Sequence, residues 1–197
     1  MILLHVSDIH CSYQRLEEVL SREQFDIVAI SGDFECYVAI ELLKPYADKA
    51  VAIPGNMDDY HVDRLLSELG ININCKIVNK GGYNFLGISG RRFKDNLNKA
   101  IQVIRDSEDK VDIILSHFPP HGTNVDRALR FIHAGSKGLR KLIEEYKPKL
   151  VLCGHIHESP GVDRIGETLI VNAGPIGIKG TYAKINLESL NVEMLSL

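Results

Sequence analysis

The chain has 197 residues, 45% hydrophobic and 25% charged, with a net charge of −3 at pH 7. That length suits one domain over residues 1–197, since a single core grows to roughly 250 residues before it splits. No apolar run approaches the roughly 20 residues of a membrane span, Met1 to Val6 is too short for a signal peptide, and the acidic balance argues against holding nucleic acid by phosphate neutralisation alone.

Met1 to Val6 reads as a first strand, after which Leu16, Val19 and Leu20 repeat with helical spacing. A second strand, Asp26 to Ser31, is followed by a helical face of Val38, Ala39, Leu42 and Leu43 that stops before Pro45. Lys49 to Ile53 is the third strand, and Val62, Leu65, Leu66 and Leu69 mark a helix with Gly70 as its stop. This βαβαβ opening predicts parallel strands with right-handed crossovers. From Ile71 to Gly90 the runs shorten, and Lys80-Gly81-Gly82 predicts a hairpin turn that starts a second sheet. Asp95 to Arg105 is helical by spacing, Val111 to Ser116 is a strand, and Phe118 to Arg127 reads as a loop rich in Pro, Gly, Thr and Asn. Ser136 is placed to cap a helix that leads to the strand at Leu150. Thr168 to Val171, Thr181 to Leu187 and Leu190 to Leu195 complete the strands. Cys11, Cys36, Cys75 and Cys153 are widely spaced with no C-x-x-C pair, so neither a disulfide framework nor a zinc knuckle is indicated, and a reducing cytoplasm is the expected setting.

Five apolar runs end in oxygen or imidazole donors. The first reaches Asp8 and His10, the second Gly32-Asp33, and the third Gly55-Asn56-Met57-Asp58. Ile113 to Ser116 reaches His117, and Leu150 to Cys153 reaches Gly154-His155-Ile156-His157. Ligands bind at the carboxyl ends of strands in open α/β sheets, so these donors are candidate metal ligands.

The ordered set Asp-x-His, Gly-Asp, Gly-Asn-x-Asp, His, Gly-His-x-His resembles the calcineurin-like metallophosphoesterase family. The resemblance implies an α/β fold, a four-layer α-β-β-α sandwich of two mixed sheets flanked by helices. It also implies hydrolysis of a phosphate ester by a hydroxide that bridges two divalent cations roughly 3.5 to 4 Å apart. Asp33 is the expected bridge, because a carboxylate offsets the repulsion of two close cations. Carried over from the family, Asp8, His10 and His157 complete one metal site, and Asn56, His117 and His155 complete the other. Mixed imidazole, carboxylate and amide ligation suits transition metals, with manganese first and iron, zinc or nickel as alternatives. Asp33, Asn56, His117 and His155 are the expected catalytic residues, and Asn56 and His121 the expected substrate contacts.

Other polar residues are open to two readings. Asp58 either orients a neighbouring histidine or caps the following helix. His121 and His133 sit in a loop, as solvated side chains or substrate contacts. His5 falls out of phase with the motif and reads as a packed strand residue, and His61 as a surface one. Arg91, Arg92 and Lys94 form a basic cluster on an exposed loop. Asn172 to Pro175 resembles the family's closing loop near the site, or is simply a turn.

Met57 departs from the pattern, because many relatives have His there, placed to protonate the leaving oxygen. General acid catalysis is typically worth about 10²- to 10⁴-fold. Relatives lacking that His include phosphodiesterases and non-catalytic protein-binding scaffolds. A phosphodiesterase is therefore the leading expectation, ahead of a phosphomonoesterase and of a scaffold with an inherited metal site. The expected partner is a small-molecule or nucleotide phosphoester, without membrane or nucleic acid, and a homo-oligomer is compatible with the chain.

Overall fold

The computed structural model describes residues 1–129 and 131–197. Its opening is β1 (Ile2–Val6), α1 (Tyr13–Arg22), β2 (Ile27–Ile30), α2 (Tyr37–Glu41), β3 (Ala50–Ala52) and α3 (Tyr60–Glu68). A second group follows: β4 (Ile77–Lys80), β5 (Tyr83–Ile88), α4 (Phe93–Asp106), β6 (Ile113–Ser116), β7 (Arg127–Ala128), β8 (Ile132–His133), α5 (Lys137–Tyr146), β9 (Leu150–Cys153), β10 (Gly161–Ile165) and β11 (Thr168–Asn172). The chain then returns through α6 (Ile176–Lys179), β12 (Thr181–Asn186) and β13 (Asn191–Ser196). One sheet has the order β13-β12-β1-β2-β3, the other β10-β11-β9-β6-β5-β4, and β7 and β8 form a separate hairpin.

Both large sheets are mixed. β1 pairs in parallel with β2 and antiparallel with β12, while β9 pairs in parallel with β6 and β11. Successive side chains on a strand face opposite ways, and here both faces are covered. In β1, Leu4 and Val6 pack with Leu16, Val19 and Leu20 of α1, whereas Leu3 joins the core between the sheets. In β9, Leu150 and Leu152 enter the inter-sheet core, and Val151 and Cys153 pack with Leu139, Leu142 and Ile143 of α5. These three apolar layers separate helices, sheet, sheet and helices, the sandwich expected from the sequence. No helix among the described residues is long and apolar enough to cross a membrane.

Local chemistry sets the helix ends. Asp59, not Asp58, caps α3, its carboxylate accepting the Val62 N–H at 2.9 Å. Ser136 Oγ accepts the Leu139 N–H at 3.1 Å and starts α5. The helix read from Val38 to Leu43 ends earlier, at Glu41, and a single 3₁₀ turn at Lys44–Tyr46 takes up Pro45, which has no N–H to give an α-helix.

Two elements differ from the sequence reading. At the end of the segment read as a loop, Phe118 to Arg127, and just beyond it, β7 and β8 pair as a hairpin whose two-residue strands are too short to show any alternation. Strand β10 was equally hidden, because its more buried positions are Gly161, Asp163 and Ile165 while Val162 is exposed. Asp163 compensates by accepting the Asn124 N–H at 2.6 Å.

One polar side chain stands inside the first sheet. His5 is fully buried, as read from the sequence, and its Nε2 lies 2.9 Å from Ser31 Oγ. Burial pulls its pKa from 6.5 down to about 3, against the attraction of Asp8. The fold therefore excludes a proton that the unfolded chain accepts, so stability falls as pH drops from about 6.5 toward about 3. Replacing His5 with Gln should flatten this pH dependence by up to about 1.4 kcal/mol per pH unit. Urea unfolding of both proteins at several pH values checks it, and parallel pH profiles would refute the assignment.

Candidate metal centre

The parallel strands of both sheets deliver their carboxyl ends to one edge of the sandwich. Asp8 follows β1, Asp33 follows β2 and Asn56 follows β3, while His117 follows β6 and His155 and His157 follow β9. The loops are tied across the joint. Asp8 accepts the His155 N–H at 3.0 Å, and His117 Nδ1 donates to the Ser31 carbonyl at 2.6 Å. The stretch from Asn172 to Pro175 also reaches this edge, for the next two residues, Ile176 and Gly177, donate to the carbonyls of Ser7 and Asp8.

The backbone is bent to aim these groups. Asp8, His10, Asp33 and His155 all have positive φ, at 53°, 46°, 55° and 69°. Such left-handed backbone costs of order 1–3 kcal/mol at a non-glycine residue and concentrates at functional sites. Two glycines make room for the donors. A Cβ on Gly55 would lie 2.0 Å from Asp33 Oδ1, and one on Gly154 would lie 1.7 Å from Ser7 Oγ and 2.3 Å from Asp8 Oδ2.

The donors form two overlapping clusters. Asp8, His10 and His157 each offer an atom within 4.8 Å of the others, and so do Asp8, Asp33 and His117. In the first, His157 Nε2 lies 3.2 Å from both Asp8 Oδ1 and His10 Nε2. Because His10 Nδ1 donates to Glu35 Oε1 at 2.8 Å, its Nε2 turns a lone pair toward His157. In the second, the Ser31 carbonyl takes the Nδ1 proton of His117, so Nε2 presents its lone pair to Asn56 Oδ1 at 2.7 Å and Asp33 Oδ2 at 3.6 Å. Atoms facing each other at such range share either a proton, as in the His157–Asp8 hydrogen bond, or a cation. Two ligands about 2.1 Å from one ion and about 90–110° apart would be separated by about 3.0–3.4 Å, close to these spacings. The donor set therefore fits a metal.

Titration follows burial. Burial raises the pKa of Asp33, opposed by His117 and by the Met57 N–H that Asp33 Oδ1 accepts at 2.9 Å. Burial acts the same way on Asp8, but the His157 hydrogen bond and the charge of His117 bring its pKa below the ordinary value. The Asp8 hydrogen bond in turn raises His157. Burial and His117 hold His155 at about 4, which keeps its ring neutral and able to donate a lone pair. His155 joins neither of the two clusters among the described residues; its ring stands 5.1 Å from that of His117 and 4.1 Å from that of Phe118.

His121 is tied within its own loop. Its Nδ1 is 3.8 Å from buried Asp126, which His133 Nδ1 contacts at 2.6 Å, and its N–H donates to the Ser136 carbonyl. Arg92 and Lys94 are exposed. A hollow of about 570 Å³ lies at the opposite edge, by the amino ends of β9 and β11, and is lined by Lys147, Lys149 and Thr168 but by none of the donors.

Several supporting groups escape sequence reasoning. Glu35 reaches His10 only because its own φ is 58°, and the Ser31 carbonyl has no side-chain signature. Asp58, read as a cap or a histidine partner, does neither. It is buried, and its carboxylate accepts the N–H groups of Glu35 at 2.8 Å and Gly55 at 2.7 Å, joining the loops that carry Asp33 and Asn56.

Residues 1–193 match the calcineurin-like phosphoesterase superfamily domain, and the chain belongs to that family of metal-dependent hydrolases. An uncharacterized protein of Methanocaldococcus jannaschii is 31% identical over 171 residues, spanning 76% of this chain and 78% of its own. The crystal structure of TT1561 of Thermus thermophilus superposes with a TM-score of 0.74 at 17% identity, covering 99% of this chain and 98% of that one. An archaeal phosphodiesterase superposes with a TM-score of 0.64 at 17% identity, with 100% of both chains covered.

Removing the Asp58 carboxylate tests its role as a tie. Asp58→Ala leaves two backbone N–H groups without their acceptor, which should cost about 2–4 kcal/mol and weaken metal binding by about 10- to 100-fold. Asp59→Ala, which removes the exposed cap, should leave metal affinity close to wild type. Urea unfolding and metal titration read both effects. Equal metal affinity in the two variants would show that Asp58 does not organise the site.

Proposed function

We propose that this chain is a phosphodiesterase that works with two divalent transition-metal ions, manganese first among them, on a small-molecule or nucleotide diester. Residues 1–197 act as one catalytic domain, and four unpaired cysteines, Cys11 exposed among them, suit a reducing cytoplasm. The observation that carries the reading is the convergence of atoms able to ligate a metal: Asn56 Oδ1 lies 2.7 Å from His117 Nε2 and His10 Nε2 lies 3.2 Å from His157 Nε2, beside buried Asp8 and Asp33.

Asp8, His10 and His157 would hold one ion, Asn56, His117 and His155 the other, and Asp33 both. When bound, such ions lower the pKa of a water molecule and neutralise charge on the phosphoryl oxygens. The protein's part is to keep the donors in place. Ser31 and Glu35 fix the rings of His117 and His10, so their free nitrogens stay aimed into the cleft. Asn56 presents its amide beside the phosphoryl group, with Oδ1 turned to His117. Phe118, packed at a tilt against His155, covers one side.

Met57 supports the choice of a diester. In a monoester's loose transition state negative charge gathers on the leaving oxygen, and a poor leaving group then depends on a proton donor. Met57 has no proton to give. A diester carries one fewer negative charge and leans more on attack by the nucleophile, so it suffers less from the missing acid. The archaeal phosphodiesterase among the structural neighbours is in keeping with this reading.

Two experiments test the proposal. Elemental analysis after reconstitution should find two ions per chain, and Asp33→Asn should remove activity more completely than His10→Ala. One ion or none, or equal residual activity in the two variants, would undo the bridging role. Kinetics on a monoester and a diester with the same leaving group should show preference for the diester, and Met57→His should raise monoester turnover by the larger factor. The gain could stay under about tenfold, because the new imidazole lacks an orienting hydrogen bond. A wild-type preference for the monoester would mean that another group, with His121 the first to examine, donates the proton.

A further inference from the structure

Next to the donors lies a hollow that bond cleavage itself does not use. Glu35, Tyr37, Met57, Asp59 and Val62 line a space of about 280 Å³. Two of these residues also touch the cleft. Met57 gives its backbone N–H to Asp33 Oδ1 at 2.9 Å, and the Glu35 carboxylate accepts from His10 Nδ1 at 2.8 Å. A phosphate bound at the centre that Asp33 and His10 help to form would therefore have this hollow beside it, open to one of its ester substituents.

The walls describe the occupant. The side chains of Met57 and Tyr37 are left 61% and 47% exposed, an apolar surface at the rim of a polar site. Thioether and phenol both pack well against the face or edge of an aromatic ring. Tyr37 is already set, its ring 4.6 Å from that of His61 and its hydroxyl donating to Asp59 Oδ2 at 3.4 Å. Asp59 is fixed in turn by capping α3. A wall held in advance loses little entropy when a ligand arrives.

Size and charge narrow the choice. A dry cavity of about 150 Å³ accepts benzene, so this open space takes one ring or a fused pair. The ionisable groups facing it as anions are Glu35 and Asp59, and no cation among the described residues lines it. A second phosphate or a carboxylate would be repelled there, whereas an uncharged ring, including one that carries N–H donors, would not.

We infer that this hollow is a substrate subsite for a planar, uncharged aromatic ring on one ester substituent, with Met57 and Tyr37 as its walls. The inference rests on the proposed phosphoesterase reading for the position of the phosphate.

The chain has three methionines, Met1, Met57 and Met194, so methyl-¹³C-methionine labelling gives a readable spectrum. Zinc-loaded protein is titrated with phenyl phosphate and, separately, with methyl phosphate, and Met57→Leu identifies the Met57 signal. Phenyl phosphate should move that signal upfield through the ring current, while methyl phosphate leaves it in place. Tyr37→Ala should lower the preference for phenyl over methyl phosphate by about three- to tenfold, the worth of one aromatic contact. A Met57 signal that ignores saturating phenyl phosphate, or responds equally to both ligands, overturns the subsite, as does an unchanged preference in a folded Tyr37→Ala. Hydrolysis of methyl and phenyl p-nitrophenyl phosphate diesters by the same sample separates the two claims. Turnover without the shift sinks the subsite alone, and the shift without turnover sinks the phosphoesterase reading alone.

Discussion

Asp8 and Asp33 are withdrawn from water, at 0% and 2% exposure, with carboxylate oxygens within 4.8 Å of each other. Like charges held that close in a low-dielectric setting repel strongly, so both stay ionised only where cations or hydrogen-bond donors offset that repulsion. Their surroundings are arranged to that end. His10, His117 and His157 stand around the pair, and backbone N–H groups from Met57 and His155 point at the same oxygens. Left-handed backbone at Asp8 and Asp33, and the absence of a Cβ at Gly55 and Gly154, follow from bringing five loops to that one place.

The two sheets divide the chemistry between them. Strands β1, β2 and β3 of the first sheet deliver the two carboxylates and the amide of Asn56, while β6 and β9 of the second deliver His117, His155 and His157. Only His10 is an imidazole from the first sheet. The site is thus a joint between sheets, and what fixes its spacings is the apolar layer between them, where Leu3, Ala29 and Val51 meet Leu115, Leu150 and Leu152. A close-packed layer resists sliding, so packing far from the chemistry sets the donor separations.

What the sequence made legible was the part written in side chains at the ends of apolar runs. A buried parallel strand is a short continuous hydrophobic stretch, and a polar residue just beyond it stands out, as Asp8, Asp33, Asn56, His117 and the pair at His155 and His157 do. The supporting contacts were silent for physical reasons. The Ser31 carbonyl carries no residue-type signal, Glu35 depends on a left-handed turn, and Asp58 sits beside Asp59, an equally good cap by composition. Strand β10 hid because glycine and aspartate occupy its inner face.

β1 lies in the interior of its sheet, between β2 and β12, and Asp8 at its end bonds to His157, 149 residues away. No early fragment of the chain contains both halves of this joint. During synthesis Asp8, His10 and Asp33 emerge together without the imidazoles of the second sheet, and β1 waits for β12 to cover its open edge. Loop closure on that scale makes folding slow and nonlocal. The complete donor set therefore exists only once the apolar layer between the sheets is in place.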